Sequence, residues 1–267
     1  MKPYYDHAGI TIYHGDCREV CPTLDAVDVV VTSPPYPGRR TYGGSVDEWS
    51  DLVPAAVLAV AATESAQYLI NLGIVTLDGQ VYRYWDALID ACSESGLRLT
   101  GWYVWDKGWG YPGKFNTLSP AHEFVFHFAA GPKPPARWVP SRQAGKRNGA
   151  QDTRNPDDSV GRRSYGYGKP YADRKAADSV LRVAPVQERG GVAAEHPAQF
   201  PVELAESLLR SWNTGAVLDP FMGSGTTLVA AKQLGRRAIG IEIEERYCEI
   251  AAKRLSQEML PFGEVKP

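Results

Sequence analysis

The stretch from Ala216 to Glu242 constrains the fold most. Ala216-Val217-Leu218 reads as a short apolar strand that stops at Asp219-Pro220-Phe221-Met222-Gly223-Ser224-Gly225-Thr226-Thr227, and Leu228–Leu234 then reads as a helix. A second apolar strand, Ala238–Ile241, ends at Glu242, seventeen residues past Gly225. Strand, glycine turn, helix and strand in series predict an α/β fold with a mostly parallel sheet. Glycines let the backbone approach a ligand closely, a helix N-terminus favours an anionic group, and Glu242 is placed to accept from ribose hydroxyls. A P-loop needs Lys before Ser/Thr, and Gly225-Thr226-Thr227 has none; a dinucleotide site needs G-x-G-x-x-G, and only Gly223 and Gly225 are present. A nucleoside bearing an amino-acid carboxylate needs only one close approach, the helix end and the acid. S-adenosylmethionine fits best.

A second stretch carries the other chemistry. Val27-Asp28-Val29-Val30-Val31 has the β-branched density of a buried strand and runs into Thr32-Ser33-Pro34-Pro35-Tyr36. Two prolines stiffen the corner and leave its carbonyls free. The corner suits a flat heterocycle, with Tyr36 on its face and Ser33 with the Pro34 carbonyl accepting hydrogen bonds from an amino group. An ordinary turn is the competing reading of these residues alone. The loop that follows, with Arg39, Arg40 and Tyr42, is placed to touch a phosphate backbone.

Elsewhere the chain reads as strands at Ile10–His14, Gln67–Leu72, Leu97–Trp105 and His122–Phe128 and helices at Cys17–Leu24, 48–66, Tyr82–Ser95 and Val202–Trp212. Asp16, just past the first strand, is equally a ligand contact or a helix N-cap. Trp102, Trp105 and Trp109 are better read as buried packing than as base-stacking faces. From Pro132 to Ala194 periodicity disappears, and 13 Lys/Arg stand against 6 Asp/Glu in a chain whose net charge is −2. Arg162, Arg163 and Lys169 lie there among tyrosines, a composition suited to a polyanionic partner such as nucleic acid, with a solvated linker as the alternative. The expected division is a half-domain over 1–131, an insert over 132–194 and a second half of the same domain over 195–267. No apolar run approaches a membrane span, and four cysteines without paired spacing read as reduced thiols of a cytosolic protein. Cys17 and Cys21 are spaced like two metal ligands, but no second pair completes a site, so no metal is expected.

With both stretches in hand, the chain resembles the DNA amino-methyltransferases, specifically the β-arranged group, in which an S/D-P-P-Y motif precedes the cofactor glycine motif with the target-recognition region between. Ser33–Tyr36, the basic insert and Asp219–Thr227 run in that order. Asn71-Leu72-Gly73, Trp105-Asp106-Lys107 and Glu123 with Phe124–Phe128 look like the group's smaller motifs. Asp16 matches an acid used near the cofactor adenine, and Glu242 matches the ribose-binding acid. His196–Pro201, with Phe200 and Pro201, looks like the H-P-A-x-x-P segment lining the methionine end of the cofactor pocket. The resemblance implies a doubly wound Rossmann-like sheet, mostly parallel with one antiparallel strand, and a small loop-rich recognition insert. It implies Ser33, Pro34, Pro35 and Tyr36 as catalytic, and Asp219, Pro220, Phe221, Gly223, Gly225 and Thr226 as further cofactor contacts. Arg39, Arg40, Arg162, Arg163 and Lys169 are then DNA contacts. The implied partner is double-stranded DNA, with a homodimer and a cognate restriction endonuclease as further candidates.

An exocyclic amino nitrogen is a poor nucleophile because its lone pair is delocalised, so positioning by Ser33 and the Pro34 carbonyl supplies most of the catalysis. Methylation at cytosine C5 needs a Pro-Cys nucleophile, and the chain has only Cys21-Pro22 in the reverse order. Ser before Pro-Pro-Tyr favours cytosine N4 over adenine N6. Methylation of RNA or of a protein Gln, and an inactive cofactor-binding module, are the remaining alternatives.

Overall fold

The computed structural model describes residues 1–37, 46–60, 62–110, 118–129, 131, 138–140, 151–154, 159–163, 172–186, 200–212 and 215–256. The chain begins with β1 (Tyr5–His7), β2 (Ile10–His14), α1 (Cys17–Val20), β3 (Val27–Thr32), α2 (Val46–Leu58) and β4 (Ala62–Leu72). A small ribbon of β5 (Val75–Leu77) and β6 (Gln80–Tyr82) precedes α3 (Asp86–Glu94), β7 (Arg98–Asp106) and β8 (His122–Ala129). Short strands follow: β9 (Trp138–Pro140), β10 (Gln151–Arg154), β11 (Val160–Arg163), β12 (Arg174–Ala176) and β13 (Val180–Arg182). The chain closes with α4 (Val202–Ser211), β14 (Val217–Asp219), α5 (Thr226–Gln233), β15 (Ala238–Glu242) and α6 (Glu245–Ser256).

Nine strands form one sheet in the order β1-β2-β15-β14-β3-β4-β8-β7-β13. From β2 to β4 every pair is parallel, and β13 adds to β7 in parallel. β8 is the antiparallel strand that the resemblance implies, and the short β1 adds a second one at the edge. The expected adjacency of the two decisive strands holds, because Val217 pairs with Val29 and Leu218 with Val30.

Successive residues of a strand face opposite sides, so a strand covered on both faces must be apolar throughout. β3 shows this: Val30 packs with Trp49, Val53 and Val57 of α2 and Leu88 and Cys92 of α3, whereas Val29 and Val31 pack with Leu204 and Leu208 of α4, Leu228 of α5 and Ala251 of α6. The result is a helix–sheet–helix sandwich whose loops gather at the strand ends.

Two compact units divide the chain, one comprising Met1–Pro134 with Ser179–Pro267 and the other Pro135–Asp178. The second contains two antiparallel ribbons, β9 with β12 and β10 with β11. β13 falls within the stretch expected as insert, yet it belongs to the main sheet.

Some elements differ from expectation. The helix expected over 48–66 stops at Leu58, and residues 62–66 begin β4, with Ala62 paired to Val27. Alanine-rich composition favours helix there, and pairing to β3 overrides it. α3 starts at Asp86 because Gln80–Tyr82 is taken into the ribbon with β5. α6 matches no expected element; its buried stripe of Cys248, Ala251 and Leu255 is small-sided and set among charges, so the helical period is faint. Cys17 and Cys21 are buried free thiols, and burial pushes both up to about 12. Among the described residues no helix is long and apolar enough to cross a membrane.

Candidate active site

The chain leaves β14 through α5 towards β15 and leaves β3 through α2 towards β4, in opposite directions along the sheet. That reversal opens a crevice at the carboxyl ends of the two strands, where open α/β sheets bind ligands. Asp219 ends one strand and Thr32 the other. The Thr32 hydroxyl donates to Asp219 Oδ1 at 2.6 Å, and the Phe221 N–H donates to the same oxygen at 3.1 Å. The Thr227 hydroxyl reaches back to the Val31 carbonyl at 3.3 Å. Asp219 is buried, and burial raises its carboxyl to about 6 against the pull of these donors. Its carboxylate is therefore turned inward as a brace between the two strands and the turn.

The glycine turn has the backbone that its residues require. Gly225 caps α5 at φ +80°, and a Cβ there would stand 2.9 Å from Ala251 Cβ, so both conformation and space call for glycine. α6 holds the turn from behind: Arg254 Nη1 donates to the Ser224 carbonyl at 2.6 Å and to its hydroxyl at 3.1 Å. At the end of β15, Glu242 accepts from the Gly223 N–H and the Glu244 N–H, each at 2.9 Å. Burial raises the Glu242 carboxyl while these backbone donors oppose the shift. The Gly15 N–H donates to the Glu242 carbonyl at 2.9 Å, which sets Asp16 beside this acid. Asp16 caps α1 through the Arg18 N–H at 2.9 Å and is ion-paired with the Arg18 guanidinium, whose hydrogen bonds hold its carboxyl below the usual range. Both local readings of Asp16 thus meet, an N-cap standing at the ligand end of the sheet.

The Ser-Pro-Pro-Tyr corner leaves β3 next to this turn. Trp49 Nε1 donates to the Pro35 carbonyl at 2.7 Å and pins the corner to α2. The half-buried Tyr36 ring lies against Gly73, where a Cβ would come within 2.7 Å of Tyr36 Cε2. Its hydroxyl donates to Glu123 Oε2 at 2.7 Å, and Lys107 Nζ donates to Glu123 Oε1 at 2.6 Å. Burial first, and the Glu123 charge second, raise the Tyr36 phenol well above its ordinary value. Residue-level reading found Gly73, Lys107 and Glu123 only as parts of motifs; that they converge on Tyr36 from β4, β7 and β8 is not visible along the chain.

Phe200 and Pro201 open α4, with the Pro201 carbonyl accepting from Leu204 N–H at 3.0 Å. Pro220 is buried and Phe221 partly so. Trp105 is buried and donates to the Val183 carbonyl at 2.8 Å, as packing predicts, but Trp102 and Trp109 are about half exposed. Arg39, Arg40, Lys169 and His196–Gln199 lie outside the described residues, as do the side chains of Arg162 and Arg163, whose backbone forms part of β11. Among the described residues no group of three His, Cys, Asp or Glu side chains is placed to hold a metal ion.

Comparison with known proteins gives one consistent answer. The family of N6/N4 methyltransferases, described as DNA methylase, matches residues 27–253. The type II methyltransferase M.ScaI of Streptomyces caespitosus is 29% identical over 282 residues, covering 96% of this chain and 84% of its own. The cytosine-N4-specific PvuII DNA methyltransferase superposes with a TM-score of 0.69 at 20% identity, over 97% of this chain and 90% of the other. A DNA modification methylase of Thermus thermophilus, solved with S-adenosyl-L-methionine, gives 0.60 at 24% identity, over 92% and 94%.

Proposed function

The chain belongs to the N6/N4 DNA methylase family, and from that membership we propose that it transfers a methyl group from S-adenosylmethionine to the N4 of a cytosine flipped out of double-stranded DNA. The observation that carries the proposal is the β3–β14 register, which sets the Ser33 corner directly beside the glycine turn.

The site fits the cofactor. Gly223 and Gly225 leave room for close approach, the α5 N-terminus favours the methionine carboxylate, and Glu242 is held by two backbone N–H groups with lone pairs left for ribose. Asp16 stands beside Glu242 at the adenine side, and Phe200 and Pro201 enclose the methionine end. Asp219 supports the turn from beneath. When bound, the cofactor supplies a methyl group on a sulfonium centre. The protein's part is to hold the amino nitrogen in line with it. Ser33 Oγ and the Pro34 carbonyl accept the two N–H groups, and Tyr36 offers its ring to the base face. Arg162 and Arg163 on β11, with Arg39, Arg40 and Lys169, contact the DNA backbone.

Ser33→Ala tests these roles. In a transfer assay from tritiated S-adenosylmethionine to unmethylated plasmid DNA, the variant should lose about a hundredfold or more in rate, the scale of one misplaced catalytic contact. Cofactor affinity by calorimetry should stay within about twofold of wild type. Undiminished transfer would remove Ser33 from the chemistry.

A further inference from the structure

Ser33 carries one proton and two lone pairs, so its hydroxyl alone can either accept from an amino group or donate to a carbonyl. What surrounds it removes that freedom. Lys107 and Glu123 form an ion pair whose side chains are 5% and 15% exposed, with Nζ 2.6 Å from Oε1. In that pair the carboxylate has acceptors only. Tyr36 therefore spends its single proton on Glu123 Oε2 at 2.7 Å. Asn71 enforces the same polarity. Its Nδ2 donates to the Phe124 carbonyl at 3.0 Å, which turns Oδ1, another acceptor, towards the Tyr36 hydroxyl at 3.5 Å. Ser33 is hydrogen-bonded to Tyr36, and the phenolic oxygen has only lone pairs left to offer. The Ser33 proton must point at Tyr36.

We propose that Lys107, Glu123 and Tyr36 are specificity-determining positioning residues: their one-way hydrogen-bond chain locks Ser33 as an acceptor, so the site takes a base with an amino group and rejects one with a carbonyl in its place. This rests on the methyltransferase reading above and goes beyond it, because it assigns the choice between amino and keto bases to the hydrogen-bond chain behind Ser33. It also explains an otherwise costly feature. A buried ion pair is weak as a source of stability, since desolvation offsets most of its attraction, but it fixes polarity and geometry.

Glu123→Gln is the telling variant. A Gln that keeps its carbonyl on Lys107 turns its NH2 towards Tyr36, so the chain reverses and Ser33 becomes a donor. The probe is a duplex carrying the sequence that the wild-type protein methylates, with the target cytosine or a uracil placed opposite an abasic site so that unpairing costs the same in both. Dissociation constants are measured with S-adenosylhomocysteine bound. Wild type should favour cytosine by about tenfold or more. Glu123→Gln should bring the ratio to about one or invert it, and Tyr36→Phe, which frees the Ser33 proton while keeping the ring, should lower it severalfold. Weakening of both duplexes by one common factor, with the ratio kept, would overturn the chain and leave the ion pair a structural role. Failure of the wild-type protein to methylate any DNA would instead overturn the function reading and this proposal with it.

Discussion

Single residues at this site are chosen by what stands behind them. Asp219 shows how a motif acid can serve the fold. Its carboxyl is raised from 3.8 to about 6 by burial, so the folded protein holds that proton more tightly than the unfolded chain does. Stability from this group is therefore greatest below about pH 4 and declines as pH rises through about 6, by up to about 3 kcal/mol. Asp219→Asn keeps an acceptor for Thr32 and Phe221 and removes the titration. Urea midpoints at pH 4.5 and pH 7 should differ less in the variant than in wild type; an unchanged difference would mean that Asp219 is not the group involved. Gly73 makes the complementary case, because its side-chain space belongs to the Tyr36 ring. Gly73→Ala should displace that ring and lower methyl transfer about tenfold or more, with cofactor affinity unaltered in a calorimetric titration. Equal losses in both would point to general loosening.

At the scale of elements, the cofactor turn is held by a helix that follows it in sequence. α6 supplies Ala251, against which Gly225 fits, and Arg254, which is bonded to the Ser224 carbonyl. A charge-assisted hydrogen bond of this kind contributes on the order of 1.5–3 kcal/mol. Arg254→Ala should weaken S-adenosylmethionine binding about tenfold and lower the unfolding temperature, and saturating cofactor should restore part of that loss. Normal affinity in this variant would show that the turn keeps its shape without α6. The strands β4, β7 and β8 are tied by side chains as well as by backbone: His127 meets Gln67 and Tyr103 at 2.8 Å on either side of its ring. Burial lowers His127 to about 4, so the ring is neutral at physiological pH and bridges as donor and acceptor.

At the scale of the whole molecule, the two decisive stretches lie almost two hundred residues apart and meet as neighbouring strands. Their character was legible because each combines a strongly apolar strand with an abrupt, chemically unusual ending. Glu242 was legible for the same reason, as an acid closing a strand. α6 and the ribbons of the second unit were not, because small or polar residues carry no clear period. The network around Tyr36 was not legible either. Gly73, Lys107 and Glu123 have no local pattern that announces a shared target; only the sheet order β3-β4-β8-β7 brings them together. The fold thus followed from periodicity and turn chemistry, whereas the support of the site is a product of topology.

The central claim is methyl transfer to an exocyclic amino group of DNA. Its most direct test is mass spectrometry of nucleosides released from unmethylated DNA after incubation with the protein and S-adenosylmethionine. N4-methylcytosine is the expected product, absent without cofactor. N6-methyladenine would preserve the mechanism at the Ser33 corner and replace the base. Neither product, on double-stranded or single-stranded DNA of varied sequence, would contradict the assignment of this site to DNA methylation.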